Sequence, residues 1–281
     1  MKDIKAKILS NNKISHAYYK MVLDAPYISR MAKPGQFVQV KCGESMEPLL
    51  RRPFSIHRIK GHGAPLGVVR GKRGKAVEIL YEVIGKGTEM LSHRKEGEFL
   101  NALGPLGNGF TLPRVRSTGR RAINNESRAI IIAGGIGAAP LVCLAEELTR
   151  KKIKTIVLIG AKTKDMILCE KDFKKVTAEV YISTDDGTYG SHGLVSNLFH
   201  KILKTTESRF ETVVYVCGPR GMLKCIAGIC HERNFECQVS MEESMACGIG
   251  VCLGCNVLTR SGNKLVCKDG PVFDANEIIW P

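Results

Sequence analysis

An antiparallel β-barrel, a parallel-sheet α/β domain and a small cysteine-rich module, in that order along the chain, form the architecture this sequence predicts. Three observations carry it. Short strand-like segments broken by turn residues fill the first part, a strand–helix–strand pattern begins at Ala129, and four closely spaced cysteines with glycines between them lie near the C-terminus. A chain of 281 residues is too long for one small domain and suits two compact ones with an appendage.

Residues 1–112 read as the barrel. Pro34-Gly35 precedes an alternating strand, Gln36 to Val40, whose apolar face is expected at Phe37 and every second neighbour. Further strands are expected at Phe54–Ile56, Gly67–Val69 and Ala76–Val83. The stretch from Lys60 to Lys75, rich in Gly, Lys and Arg, reads as a mobile hairpin tip. Gly104 to Phe110 is a turn-rich stretch that closes the barrel.

Residues 113–128 carry Arg, Asn, Ser and Gly with little apolar content and read as a linker or exposed loop. Residues 129–236 follow as the α/β domain. Strands are expected at Ala129–Ala133, Thr155–Ile159, Glu179–Ser183 and Thr212–Val216, with a helix over Leu141–Thr149. Strands separated by helices imply a parallel, Rossmann-like sheet covered on both faces. Residues 237–281 hold too little apolar sequence for a core of their own and form the third module.

Composition narrows the function. Lys+Arg 42 against Asp+Glu 27 gives a net charge of +15, which would suit an anionic cofactor, an acidic partner or a solvated basic surface. No zinc-finger alternation of Cys and His and no aromatic RNA-binding sheet motif supports a nucleic-acid partner. No apolar stretch approaches the roughly 20 residues that cross a bilayer, and the N-terminus lacks the apolar region of a signal peptide. The expectation is therefore a cytoplasmic protein. Eleven cysteines, an odd number, argue for metal binding over a disulfide framework.

Cys247, Cys252, Cys255 and Cys267 are spaced C-x4-C-x2-C-x11-C. The first three match plant-type 2Fe–2S spacing. Gly248, Gly250 and Gly254 allow the backbone to wrap closely, with N–H groups pointing at sulfur. A tetra-Cys zinc site is the alternative, but it normally presents two separate C-x2-C knuckles, and only one exists here.

Gly134-Gly135-Ile136-Gly137-Ala138-Ala139-Pro140, between a buried strand and a helix, suits close approach to a pyrophosphate at a helix N-terminus. A glycine-rich packing turn without a ligand is the other reading. Arg51-Arg52-Pro53-Phe54-Ser55 offers a cation for a pyrophosphate and a hydroxyl for a flavin ring, or else a surface arginine pair. Leu80-Tyr81-Glu82 and Gly85-Lys86-Gly87-Thr88 offer aromatic stacking and backbone donors to the same cofactor. Lys162 and Lys164 follow the second strand, where a cation can meet a 2′-phosphate, so NAD and NADP both stay open. Asp185-Asp186 can touch a ribose or cap a helix, capping being slightly favoured. The seven histidines are scattered, and no nucleophile or His–carboxylate constellation stands out.

In chain order, R-P-F-S, G-x-G-T, G-P-x-G-x-G-F, G-G-I-G-x-x-P and C-G-P resemble the ferredoxin–NADP reductase superfamily over essentially the whole chain. Within it, Met241 to Cys255 and Val266 to Phe273 resemble the electron-transfer subunits of NAD-dependent, two-component dihydroorotate dehydrogenases. The resemblance implies that Arg52, Pro53, Phe54, Ser55, Leu80, Tyr81, Glu82, Gly87 and Thr88 hold FAD. It further implies that Gly134, Gly135 and Gly137 approach the pyrophosphate of NAD, and that Cys217, Gly218 and Pro219 lie near the nicotinamide. A buried strand-end thiol is the alternative for Cys217. It implies a catalytic, FMN-containing dihydroorotate dehydrogenase subunit as partner, in a heterotetramer of two copies of each. No residue of this chain is expected to act as acid or base on the substrate. The rival implications are an FAD and 2Fe–2S subunit of a ferredoxin-dependent NADP reductase, a sulfite reductase or a hydrogenase, and a non-catalytic redox sensor.

Overall fold

A computed structural model describes residues 1–15, 17–43, 47–60, 76–113, 127–177, 179–205 and 211–280. It divides into two compact units. The expected strand at Gly67–Val69, the hairpin tip up to Lys75 and most of the 113–128 linker lie outside the described residues.

The first unit is built on a closed barrel. Its strands are β1 (Lys2–Lys13), β2 (Tyr18–Asp24), β3 (Phe37–Lys41), β4 (Arg52–Lys60), β5 (Ala76–Glu82) and β6 (Phe99–Leu106), in the order β1-β2-β5-β4-β3-β6. Two short helices, α1 (Pro26–Met31) and α2 (Lys86–Ser92), interrupt them. Period-2 alternation sends Val77, Ile79 and Tyr81 of β5 inward to meet Met21, Leu23, Phe54 and Ile56 in one core. Neighbouring strands are antiparallel throughout. On β3 the expected face is corrected by one residue. Val38 and Val40 enter the core, and Phe37 and Gln39 take the outer face yet are also buried. A strand covered on both sides reads as a continuous apolar run, so the pattern could not reveal which face was inner.

The second unit carries a seven-stranded sheet. Along the chain come β7 (Arg128–Gly134), α3 (Ala138–Arg150), β8 (Lys154–Ala161), α4 (Glu170–Lys174), β9 (Glu179–Thr184), β10 (Ser191–His192), α5 (Val195–Thr205), β11 (Thr212–Cys217), α6 (Arg220–Glu232) and β12 (Glu236–Ser240). After these come a hairpin of β13 (Asn256–Thr259) and β14 (Gly262–Leu265), then β15 (Val272–Asp274). The sheet order is β10-β9-β8-β7-β11-β12-β15, parallel except for β15.

From β7 the chain winds outward through β8 and β9, then returns to β11 and winds the other way to β12. Right-handed crossovers therefore put α3 and α4 on one face and α5 and α6 on the other. Adjacent strands β7 and β11 form the topological switch point, where ligands of such sheets bind at the carboxyl ends.

The parallel sheet extends beyond residue 236. Glu236–Ser240 is a fifth long strand, paired with β11 from Val213↔Glu236 to Cys217↔Ser240. Its sequence, Glu-Cys-Gln-Val-Ser, lacks the apolar run that marked the other four, because Gln238 spends its amide on the backbone. Its Nε2 donates to the Thr111 carbonyl (2.9 Å) and its Oε1 accepts from the Thr111 N–H (2.9 Å). The C-terminal residues are likewise shared. Residues 242–257 and 263–271 belong with the barrel, while 258–262 and 272–281 belong with the sheet. No helix among the described residues is long and apolar enough to cross a membrane.

Candidate functional site

The cysteine loop is the best-defined site. Gly248 and Gly250 have φ of +70° and +82°, a left-handed backbone that admits glycine readily, and Leu253 adopts +59° in the same turn. This winding turns successive N–H groups inward. Ile249, Val251 and Cys252 each donate to Cys247 Sγ at 3.4 Å, Gly250 donates to Cys267 Sγ at 3.1 Å, and Cys267 donates to Cys255 Sγ at 3.4 Å.

Desolvation raises the Cys247 thiol's pKa, but the three backbone donors and the Cys252 thiol outweigh it and bring the value down to about 6. Burial, with the neighbouring Cys255 sulfur, pushes Cys267 up to about 12. A metal centre deprotonates such ligands outright. Four soft sulfur donors ringed by backbone N–H groups fit an iron–sulfur cluster.

The barrel supports this loop through two residues to which the sequence reading gave no role. Asn108 reaches the turn after Cys267. Its Nδ2 donates to the carbonyls of Lys268 (3.3 Å) and Asp269 (2.8 Å), and its backbone N–H donates to Gly270 O (2.6 Å). Gln39, on β3, lies beneath Gly248. Asn108 lies within the G-P-x-G-x-G-F motif. Gln39 lies in an unremarkable strand and carried no local signal.

At the start of β4, Arg52 Nη1 donates to the carbonyls of Leu50 (2.9 Å) and Arg51 (3.3 Å). A Cβ on Gly87 would stand 3.2 Å from Arg52 Nε and 3.3 Å from Cys42 Sγ, so the guanidinium lies against the first turn of α2. Thr88 Oγ1 accepts from the N–H groups of Ile84 (3.0 Å) and Gly85 (3.3 Å), which closes the turn. The first N–H groups of the helix have no partner within it. A cation beside such donors fits a pyrophosphate. Ser55, half-buried, alternates with core residues Phe54 and Ile56 and so faces outward. Leu49, Leu50 and Ile84 flank these segments and leave large apolar side chains exposed, Ile84 by 81 %, which suits a flat aromatic cofactor.

Tyr81 does not present its ring here. It points into the core, 5.5 Å from the Phe54 ring centroid, with its hydroxyl donating to Asn11 Oδ1 (3.0 Å). The expected aromatic stacking is therefore unavailable from Tyr81, because strand alternation turns only Leu80 and Glu82 outward. Phe54 is turned inward in the same way.

In the second unit the expected nucleotide residues meet at the β7–β11 switch point. A Cβ on Gly137 would stand 2.5 Å from the Cys217 carbonyl, and one on Gly134 would stand 2.7 Å from Met222 Sδ. Gly218 would meet Met222 and the Gly134 Cα in turn. These three glycines therefore let two turns interlock. Gly135 differs: at φ +53° it has open space around it and is the one placed for backbone approach by a ligand.

Pro219 caps the thirteen-residue helix α6, and half-buried Cys217 ends β11. Asp186 is used by its own loop, accepting from Thr188 N (3.0 Å) and Thr188 Oγ1 (2.7 Å), and the Thr188 backbone donor leads in holding its pKa down. Lys164 Nζ lies 5.7 Å from the Tyr189 ring centroid.

Comparisons with known proteins agree with this geometry. Residues 242–279 match the iron–sulfur cluster binding domain of dihydroorotate dehydrogenase B, and residues 131–228 match an oxidoreductase NAD-binding domain. The electron transfer subunit of dihydroorotate dehydrogenase B (NAD(+)) from Desulforamulus reducens is 43% identical over 98% of this chain and 97% of its own. That from Geobacillus kaustophilus is 36% identical over 97% and 96%. A solved NADH-dependent reduced ferredoxin–NADP oxidoreductase superposes with a TM-score of 0.78 at 26% identity, covering 99% of this chain and 90% of that one. The ferredoxin NADP+ reductase of Neisseria gonorrhoeae, solved with FAD and NADP, shares the fold at a TM-score of 0.63 and 15% identity, over 87% of this chain and 94% of that one. The chain belongs to the family of dihydroorotate dehydrogenase B (NAD(+)) electron transfer subunits.

Proposed function

We propose that this chain carries electrons between a dihydroorotate-oxidising flavoprotein and NAD, through a 2Fe–2S cluster and FAD, in pyrimidine biosynthesis. The observation that carries the reading is the convergence of backbone N–H groups on the Cys247, Cys255 and Cys267 sulfurs within a chain that also holds a reductase barrel and a switch-point nucleotide turn. FAD exchanges either a hydride with a nicotinamide or single electrons with a cluster, so by electron count it stands between them.

The roles of the residues follow. Cys247, Cys252, Cys255 and Cys267 hold the cluster. Arg52 and the first turn of α2, with Gly87 and Thr88, hold the FAD pyrophosphate. Ser55 faces the flavin ring, and the backbones of Pro53, Phe54, Leu80, Tyr81 and Glu82 form the wall. Gly135 approaches the NAD pyrophosphate, while Gly134, Gly137, Gly218 and Pro219 shape the turn around it and Cys217 lies near the nicotinamide. Proton chemistry on dihydroorotate belongs to the partner.

The partner is an FMN-containing catalytic subunit, in an assembly of two copies of each in the cytoplasm. Ile249, Val251 and Leu253 support docking at the cysteine loop, since they leave a contiguous stretch of chain with exposed apolar side chains.

Anaerobic titration of the purified chain with NADH, then NADPH, followed by visible absorption, tests the reading. Flavin and iron–sulfur bands bleaching with NADH are expected. A chain that stays colourless after anaerobic reconstitution would overturn it.

A further inference from the structure

Gln39 is fully buried on the outer face of β3 and is covered by the cysteine loop. A Cβ on Gly248 would stand 2.5 Å from Gln39 Nε2 and 2.6 Å from its Cγ, so the loop backbone rests directly on the amide. Among the described residues, Nε2 makes one hydrogen bond, to Met245 Sδ at 4.0 Å, and Oε1 has no partner. A thioether is a weak acceptor. A buried amide with nearly all its hydrogen-bonding capacity unmet is destabilising, and an apolar residue of similar size would avoid that cost. Such a group asks for a reason.

The residue it touches gives one. Gly248 follows Cys247, whose sulfur already receives three backbone N–H groups. Polar groups close to cluster sulfurs, and the dielectric around them, set reduction potentials.

We propose that Gln39 is a positioning residue of the iron–sulfur site, whose amide dipole and unused N–H favour the reduced cluster. Reduction adds one electron and no bond is made or broken at Gln39. The amide stabilises the added negative charge and raises the potential at which the chain accepts that electron. The inference rests on reading the four cysteines as cluster ligands.

The test uses the full chain, reconstituted anaerobically with FAD and cluster, as wild type, Gln39→Met and Gln39→Leu. Both variants keep the bulk and remove the amide. Iron content and the visible spectrum are measured first, then the cluster midpoint potential and the electron paramagnetic resonance g-values of the reduced state. The expected result is full iron content with a lower potential. The reduced-to-oxidised ratio should fall about tenfold at fixed ambient potential, which is 59 mV for a one-electron couple. A loaded variant with wild-type potential and g-values would overturn the inference. Loss of the cluster from both variants would also overturn it, by making Gln39 a support of the loop and nothing more. A wild-type chain that takes up no 2Fe–2S cluster would instead overturn the reading beneath it.

Discussion

The Asn108 side-chain amide donates to the Asp269 carbonyl at 2.8 Å, which ties the barrel's last turn to the residues just after Cys267. Asn108→Ala removes this bond and the longer one to Lys268, about 1–2 kcal/mol in all. The turn should then loosen locally. Iron release to a chelator should quicken several-fold while flavin content stays at wild-type level, and unchanged release would refute the clamp.

Gly137 and Gly135 should part company under the same substitution. Gly137→Ala drives a methyl into the Cys217 backbone and should destabilise the second unit by more than ~2 kcal/mol, visible as a lower Tm. Gly135→Ala meets only the left-handed backbone, at about 1 kcal/mol. Its larger effect should be a raised KM for NADH, measured with ferricyanide as acceptor. Equal effects on Tm would contradict the separation of roles.

Glu78 lies on the barrel's outer face with Lys60 Nζ at 2.6 Å from Oε2, and His57 Nε2 (3.6 Å), Lys20 Nζ (3.8 Å) and Arg58 Nη1 (4.0 Å) around Oε1. Burial works to raise its pKa, but the His57 charge and the Lys60 hydrogen bond outweigh that and hold it below the ordinary 4.5. A depressed carboxyl pKa contributes stability that is complete above the unfolded value and lost as pH falls through the folded one. Glu78→Gln should cost about 1–3 kcal/mol near neutrality, because it removes the carboxylate that the half-buried Lys60, Lys20 and Arg58 and the buried His57 surround. The loss should shrink as the pH drops below 4.5. Denaturant melts at pH 7 and pH 4 measure both, and a pH-independent difference would count against the assignment.

Leu253 is 66 % exposed and adopts φ +59°, a conformation that asparagine tolerates. Leu253→Asn should therefore leave the cluster in place and weaken docking of the catalytic partner about tenfold, ~1.4 kcal/mol. Dihydroorotate-to-NAD turnover at limiting partner should fall while NADH-to-ferricyanide turnover holds. Parallel loss of both would place Leu253 in the electron path and not at the interface.

Much of the molecule was legible in one dimension because its signals are local. C-x4-C-x2-C with interspersed glycines needs only the loop itself to bring the sulfurs together, and Ala129–Ala133 is apolar enough to be a buried strand in any context. Gly134-Gly135-Ile136-Gly137 was likewise readable as a turn, since glycine adopts the φ of +53° found at Gly135 without the cost a side chain brings. The order of these motifs sufficed to place the chain in its family.

Tertiary structure decided what depends on which surface covers which. It turned Tyr81 into the core and away from any ligand, assigned Gly137 to packing against Cys217, and drew Glu236–Ser240 into the sheet through the bond between Gln238 and the Thr111 backbone. It also buried Gln39 beneath Gly248, some 200 residues away in sequence. A side chain's own identity fixes its chemistry. Whether that chemistry is met, left over or turned toward a cofactor is set by neighbours that arrive only when distant segments pack, and no local pattern records them.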